Sequence, residues 1–127
     1  MQGKHLFEYA VIRVVPRVER EEFINVGIVL YCRDLKFLEC VFTINQKRIQ
    51  ALCGDVDCRE VEEHLKSFEK ISKGDKTGGP IAALDLASRF RWLTATRSTV
   101  VQTSKVHPGF CTDPKETIDK LNQQLVL

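Results

Sequence analysis

The sequence is short of several things, and each shortage excludes a class of protein. No apolar run approaches the ~20 residues that a membrane-spanning helix needs. Met1-Gln-Gly-Lys-His5 holds no apolar stretch and no small-residue cleavage site, so no secretory leader is read there and the expected location is the cytosol. Seven Gly and four Pro are too few for a collagen-like or low-complexity chain, and no internal repeat is visible. A net charge of +2 over 127 residues excludes a protein that is basic over its whole surface. The five cysteines lack a second close Cys/His pair. Cys53 and Cys58 bracket Gly-Asp-Val-Asp, but a four-ligand zinc site cannot be assembled from them locally, and free thiols are expected. Gly74-Asp-Lys-Thr-Gly-Gly79 lacks the phosphate-loop spacing and is followed by Pro80, and no Gly-x-Ser-x-Gly elbow occurs.

What is present reads as one α+β domain over residues 1–127. Leu6 to Val15 is a strand apolar on both faces, with Phe7, Tyr9, Val11 and Val15 on one and Leu6, Ala10, Ile12 and Val14 on the other. This is the pattern of a central strand, and Pro16 ends it. Ile24 to Arg33 alternates, with Ile24, Val26, Ile28, Leu30 and Cys32 on one face. Gly27 within it points to a bulge or a close backbone approach. A tight turn at Arg33-Asp-Leu-Lys36 leads to a third strand, Phe37 to Ile44, with Leu38, Cys40, Phe42 and Ile44 on its apolar face.

Asn45 to Leu52 reads as a short helix. Asp57 then caps a longer amphipathic one, whose Val61, Leu65, Phe68 and Ile71 recur at helical spacing up to Gly74. Residues 73–80 form a flexible loop. A helix is expected over Ile81 to Trp92, with Ile81, Leu84, Ala87 or Ser88, and Trp92 near one face. A short strand follows at Thr99 to Thr103, then a turn at His107-Pro-Gly109. Asp113 and Pro114 open a last helix with Ile118, Leu121 and Leu125 inward. The sum is about four mostly antiparallel strands with two to three helices packed on the sheet.

Charge is unevenly spread. From Leu86 to Thr112 there are four basic residues (Arg89, Arg91, Arg97, Lys105) and no acid, while the rest of the chain holds 15 basic against 17 acidic residues. Within this stretch, Arg89 to Thr99 carries three arginines, four hydroxyls and Trp92. Guanidinium forks suit carboxylate or phosphate, Ser98 and Thr99 supply hydroxyls, and Trp92 supplies a stacking face. The plainer reading makes Trp92 and Phe90 core and pairs the arginines with the chain's own acids. If the segment is helical, Arg89 and Arg91 diverge; if extended, they share a face. His107 is a candidate acid or base only with a partner nearby. Glu22 and Asn25, before the second strand, read as a solvated polar run with no metal expected.

The blocks Tyr9-Ala-Val-Ile-Arg-Val-Val-Pro-Arg17, Glu22-Phe-Ile-Asn-Val-Gly-Ile-Val-Leu30, Arg89-Phe-Arg-Trp-Leu-Thr94, Arg97-Ser-Thr-Val-Val-Gln102 and Val106-His-Pro-Gly109 are characteristic. Through them the chain resembles a small bacterial family called domain of unknown function three-zero-three-seven. The family's motifs fall on Glu22, Asn25, Gly27, Arg89, Arg91, Trp92, Arg97, Ser98, Thr99 and His107. The resemblance implies a bacterial cytosolic protein whose gene often neighbours one for a HipA-type serine/threonine kinase, and hence a kinase-like partner. The expected function is non-enzymatic binding or regulation of another protein through Arg89–Thr99, with no cofactor. The alternative is a phosphate-ligand, nucleotide or nucleic-acid site in which Arg89, Arg91 and Arg97 hold phosphate and His107 acts as acid or base.

Overall fold

The computed structural model describes residues 3–127. Five strands form one antiparallel sheet: β1 (His5–Val14), β2 (Ile24–Cys32), β3 (Phe37–Phe42), β4 (Val101–Thr103) and β5 (His107–Cys111). The order is β3-β2-β1, and the far side of β1 is shared by β4 and β5. β5 pairs with residues 5–9 of β1 and β4 with residues 12–14. Between the two, Ser104 completes the ladder. Its N–H donates to the Val11 carbonyl, and its hydroxyl accepts from the Val11 N–H, both at 2.8 Å.

β1 is central, as its two apolar faces require. Ala10, Ile12 and Val14 enter one core and Phe7 and Val11 the other. The first core lies under α1 (Gln46–Leu52), α2 (Cys58–Lys73) and α3 (Leu86–Leu93). The second lies under α4 (Pro114–Leu125), so helices cover both faces of the sheet. Asp57 and Asp113 cap α2 and α4 through their side chains, where the sequence puts them, and Asn45 caps α1 in the same way. On α4, Ile118 is buried and Leu121 partly so, but Leu125 is exposed and Val126 takes the inward place.

Gly27 answers to both of its sequence readings. The β1–β2 register slips by one residue between Ile12↔Gly27 and Arg13↔Asn25. A Cβ at Gly27 would also lie 2.3 Å from the Val41 carbonyl oxygen. The bulge divides the face expected to run from Ile24 to Cys32. Ile24 and Val26 pack toward α2, whereas Ile28, Leu30 and Cys32 pack toward α4.

Two expected elements differ. His107-Pro108-Gly109 is not a turn but the start of β5, paired with Tyr9, Glu8 and Phe7. Proline is tolerated because β5 is an edge strand and the missing donor faces outward. Gly109 is required because a Cβ there would meet the Phe7 ring at 2.5 Å. The single helix expected over 81–92 is two pieces. Pro80–Ala83 is a 3-10 turn, and α3 restarts at Leu86 with Asp85 accepting from Ser88 N–H at 2.7 Å. The inward face of α3 is therefore Arg89, Phe90 and Leu93, while Leu84 and Trp92 are exposed.

Candidate functional site

Because residues 86–93 are helical, Arg89 and Arg91 diverge. Arg89 turns inward and is buried. Its Nε donates to Leu84 O at 2.9 Å, and its Nη1 donates to Ile71 O at 3.0 Å and Ser72 O at 2.9 Å. Ile71 and Ser72 lie in the last turn of α2, whose carbonyls have no partner within the helix. Arg89 thus closes the C-terminus of α2, where a cation also suits the helix dipole. Its fork is filled by the protein's own backbone. Arg91 points to solvent, 3.3 Å from Ser88 Oγ.

Past α3 the chain turns back over α2, and Arg97 lies across two aromatic faces. Its Cζ is 4.5 Å from the Trp92 ring centre and 5.3 Å from that of Phe68. Phe68 and Trp92 meet edge-on at 6.4 Å. Arg97 donates one hydrogen bond, to Trp92 O, and has no carboxylate partner among the described residues. Burial pulls its pKa down from the ordinary arginine value. The Thr99 hydroxyl donates to Val101 O at 2.7 Å, which fixes the loop into β4, and Ser98 is exposed. Together His64, Ser67, Phe68, Trp92, Arg97 and Thr99 line an open groove of about 380 Å³.

Half of that groove was not read from the sequence. His64, Ser67 and Phe68 are i, i+3 and i+4 on α2, a single stripe that reads as an ordinary helix face until the 94–100 loop lies against it.

The other candidates stand apart. His107 is opposite Tyr9 on β5, its ring 5.4 Å from the tyrosine ring. Thr99 leads into Val101, opposite Val14. Five residues of β1 separate these positions, roughly 17 Å. The three arginines and His107 are therefore not gathered around one point. Glu22 is exposed and ion-paired with Arg20, whose hydrogen bond holds its pKa below the usual carboxylate range. It borders a polar cleft of about 290 Å³ with Arg17, Cys53 and Asp55, in which Arg17 and Asp55 pair at 3.7 Å. Asn25 donates to Leu125 O at 3.0 Å and ties β2 to the end of α4. Among the described residues, no three His, Cys, Asp or Glu side chains converge as a metal-ligand set, and all five cysteines are free. No described helix is long and apolar enough to cross a membrane.

No curated protein and no solved structure matches the chain. Over residues 9–126 it matches the family described as "Protein of unknown function (DUF3037)", and it belongs to that family.

Proposed function

We propose that this member of the family is a non-enzymatic binding module that takes an acidic segment of a partner protein into the groove between α2 and the 94–100 loop. The observation that carries this reading is Arg97. A half-buried guanidinium, spread on Trp92 and Phe68 with no acid of its own, is a charge left for a ligand to neutralise. Trp and Arg are the side chains that most often anchor protein interfaces. Arg97 in the groove and exposed Arg91 on the same segment supply the positive charge that steers an acidic partner toward it. In this reading Arg97 and Trp92 are the anchors, Arg91 and Ser98 belong to the exposed rim, and Arg89 acts only through the fold.

The first partner to test is a HipA-type kinase, the partner that the sequence resemblance suggests. Titration calorimetry with purified kinase should give a complex that Arg97→Ala weakens by more than ~2 kcal/mol, with Arg91→Ala costing less. Arg97→Lys should restore little, because lysine keeps the charge and loses the stacked plane. Equal affinity of wild type and a folded Arg97→Ala variant for a bound partner would refute the groove as the site.

A further inference from the structure

The two edges of the sheet are finished differently. On the β5 side, the residues exchanging hydrogen bonds with β1 are His107, Gly109 and Cys111, so Pro108 sits where its missing N–H would face outward. β4 is only three residues long. Proline and brevity are usual ways of closing a sheet edge to other chains.

β3 has no such protection. Thr43 N–H donates to Val26 O at 2.8 Å, which fixes the polarity of the strand. Phe37, Glu39 and Val41 face β2, and Leu38, Cys40 and Phe42 turn their backbone groups outward. Those three N–H and three C=O groups have no hydrogen-bond partner among the described residues. The strand has no proline and one charged residue, Glu39, which pairs with Lys115 of α4 at 3.9 Å.

We infer that this edge pairs with the same edge of a second copy, β3 antiparallel to β3, joining the two sheets into one of ten strands. The pattern is self-complementary about a two-fold axis at Cys40. With Cys40 opposite Cys40 of the second copy, Leu38 lies opposite Phe42 and Glu39 opposite Val41. All six outward groups of each strand are then satisfied, and no like charges meet directly across the strands. Charge on α2 favours the same partner. α2 passes over Cys40, whose Sγ lies 3.9 Å from Phe68 O. Its first half carries Glu60, Glu62 and Glu63 against Arg59, and its second half Lys66, Lys70 and Lys73 against Glu69, so the two halves have opposite net charge. A two-fold axis at Cys40 runs the two α2 helices antiparallel, acidic half toward basic half. Glu63 and Lys70 have no ion-pair partner among the described residues. The groove at Arg97 is not used by this pairing.

The test is sedimentation velocity of the full chain over a concentration series, with amide exchange read by NMR at both ends of the series. The expected result is a reversible dimer. The amides of Leu38, Cys40 and Phe42 exchange fast when dilute and become protected as dimer forms, while those of Phe110 and Val106 stay fast. Val41 also packs against the α4-side core, so Val41→Glu is first checked for a native melting transition; it sets a carboxylate opposite Glu39 of the second copy, twice per dimer, and should weaken the dimer roughly tenfold. Glu39→Lys added to it should restore the dimer. A chain that stays monomeric at the highest concentration overturns the inference. So does a dimer in which those three amides stay fast, and so does protection that appears only when another protein is added.

Discussion

Arg89 offers the sharpest test, because its residue type alone suggests a ligand and its surroundings assign it to the fold. Arg89→Ala removes three charge-assisted hydrogen bonds and leaves the carbonyls of Leu84 and Ser72 without their donor, while Ile71 O keeps only the Gly74 N–H at 3.2 Å. Hydrogen bonds to charged groups contribute about 1.5–3 kcal/mol each. Their sum overstates the loss, because water can reach carbonyls freed at a helix end. A net cost of about 3–5 kcal/mol follows from the unmet acceptors, about 1–3 kcal/mol each, together with the lost packing of the buried side chain. Against a total stability of about 5–15 kcal/mol this is a large fraction. It corresponds to a fall in melting temperature of roughly 10–20 °C for a chain of this size. The assay is urea unfolding followed by circular dichroism, comparing midpoints at constant slope. Arg89→Lys should recover only part, since one ammonium cannot reach carbonyls on both α2 and the 81–84 turn. Arg91→Ala, two residues away and exposed, should stay within ~0.5 kcal/mol of wild type. A loss below ~1 kcal/mol for Arg89→Ala, or equal losses at Arg89 and Arg91, would refute the assignment.

Three further outcomes are expected. Gly27→Ala puts a methyl 2.3 Å from Val41 O and 2.9 Å from Phe42 Cβ, so β2 and β3 must part locally. It should cost about 1–3 kcal/mol, and a thermal melt at wild-type stability would show that the bulge yields freely. Ser104→Ala strips the buried Val11 N–H of its acceptor. It should cost about 1–3 kcal/mol and raise the exchange rate of the Val11 amide, and an unchanged rate would mean another acceptor takes over. Native protein should show two fast thiols toward an aromatic disulfide reagent, Cys53 and Cys58, and five only after unfolding. The Cys40 side chain turns into the core under α2, and burial pushes its thiol up to about 12. Burial also raises the Cys111 thiol. Peptide mapping that finds Cys40 labelled in the folded protein would contradict this packing.

Local chemistry made much of the fold legible. The caps at Asp57 and Asp113 need only an acceptor side chain beside the first turn, so they read directly from sequence. The same is true of α2, whose apolar spacing already defines its buried stripe, and of β1, apolar on both faces and central. Gly27 signalled a special position, but the slip that turns Ile28 to the opposite core from Val26 needed the partner strand. At 107–109 the residue types favour a turn, and pairing with β1 overrode them, because an edge strand tolerates Pro108 and the Phe7 ring demands Gly109.

The candidate site divides in the same way. Sequence determined where basic residues gather with no acid among them. It also determined that Arg89 and Arg91 must diverge if helical. Only the tertiary structure decided which of the two turns inward, because that depends on the end of α2, 17 residues earlier, offering bare carbonyls beside α3. Only it brought His64, Ser67 and Phe68 under Arg97, and only it separated His107 from the arginines along β1. Caps and periodicity are settled within one turn or one strand of chain. Grooves, ladder edges and buried charges are settled by residues far apart in sequence, and a single sequence does not fix their juxtaposition until the chain has closed on itself.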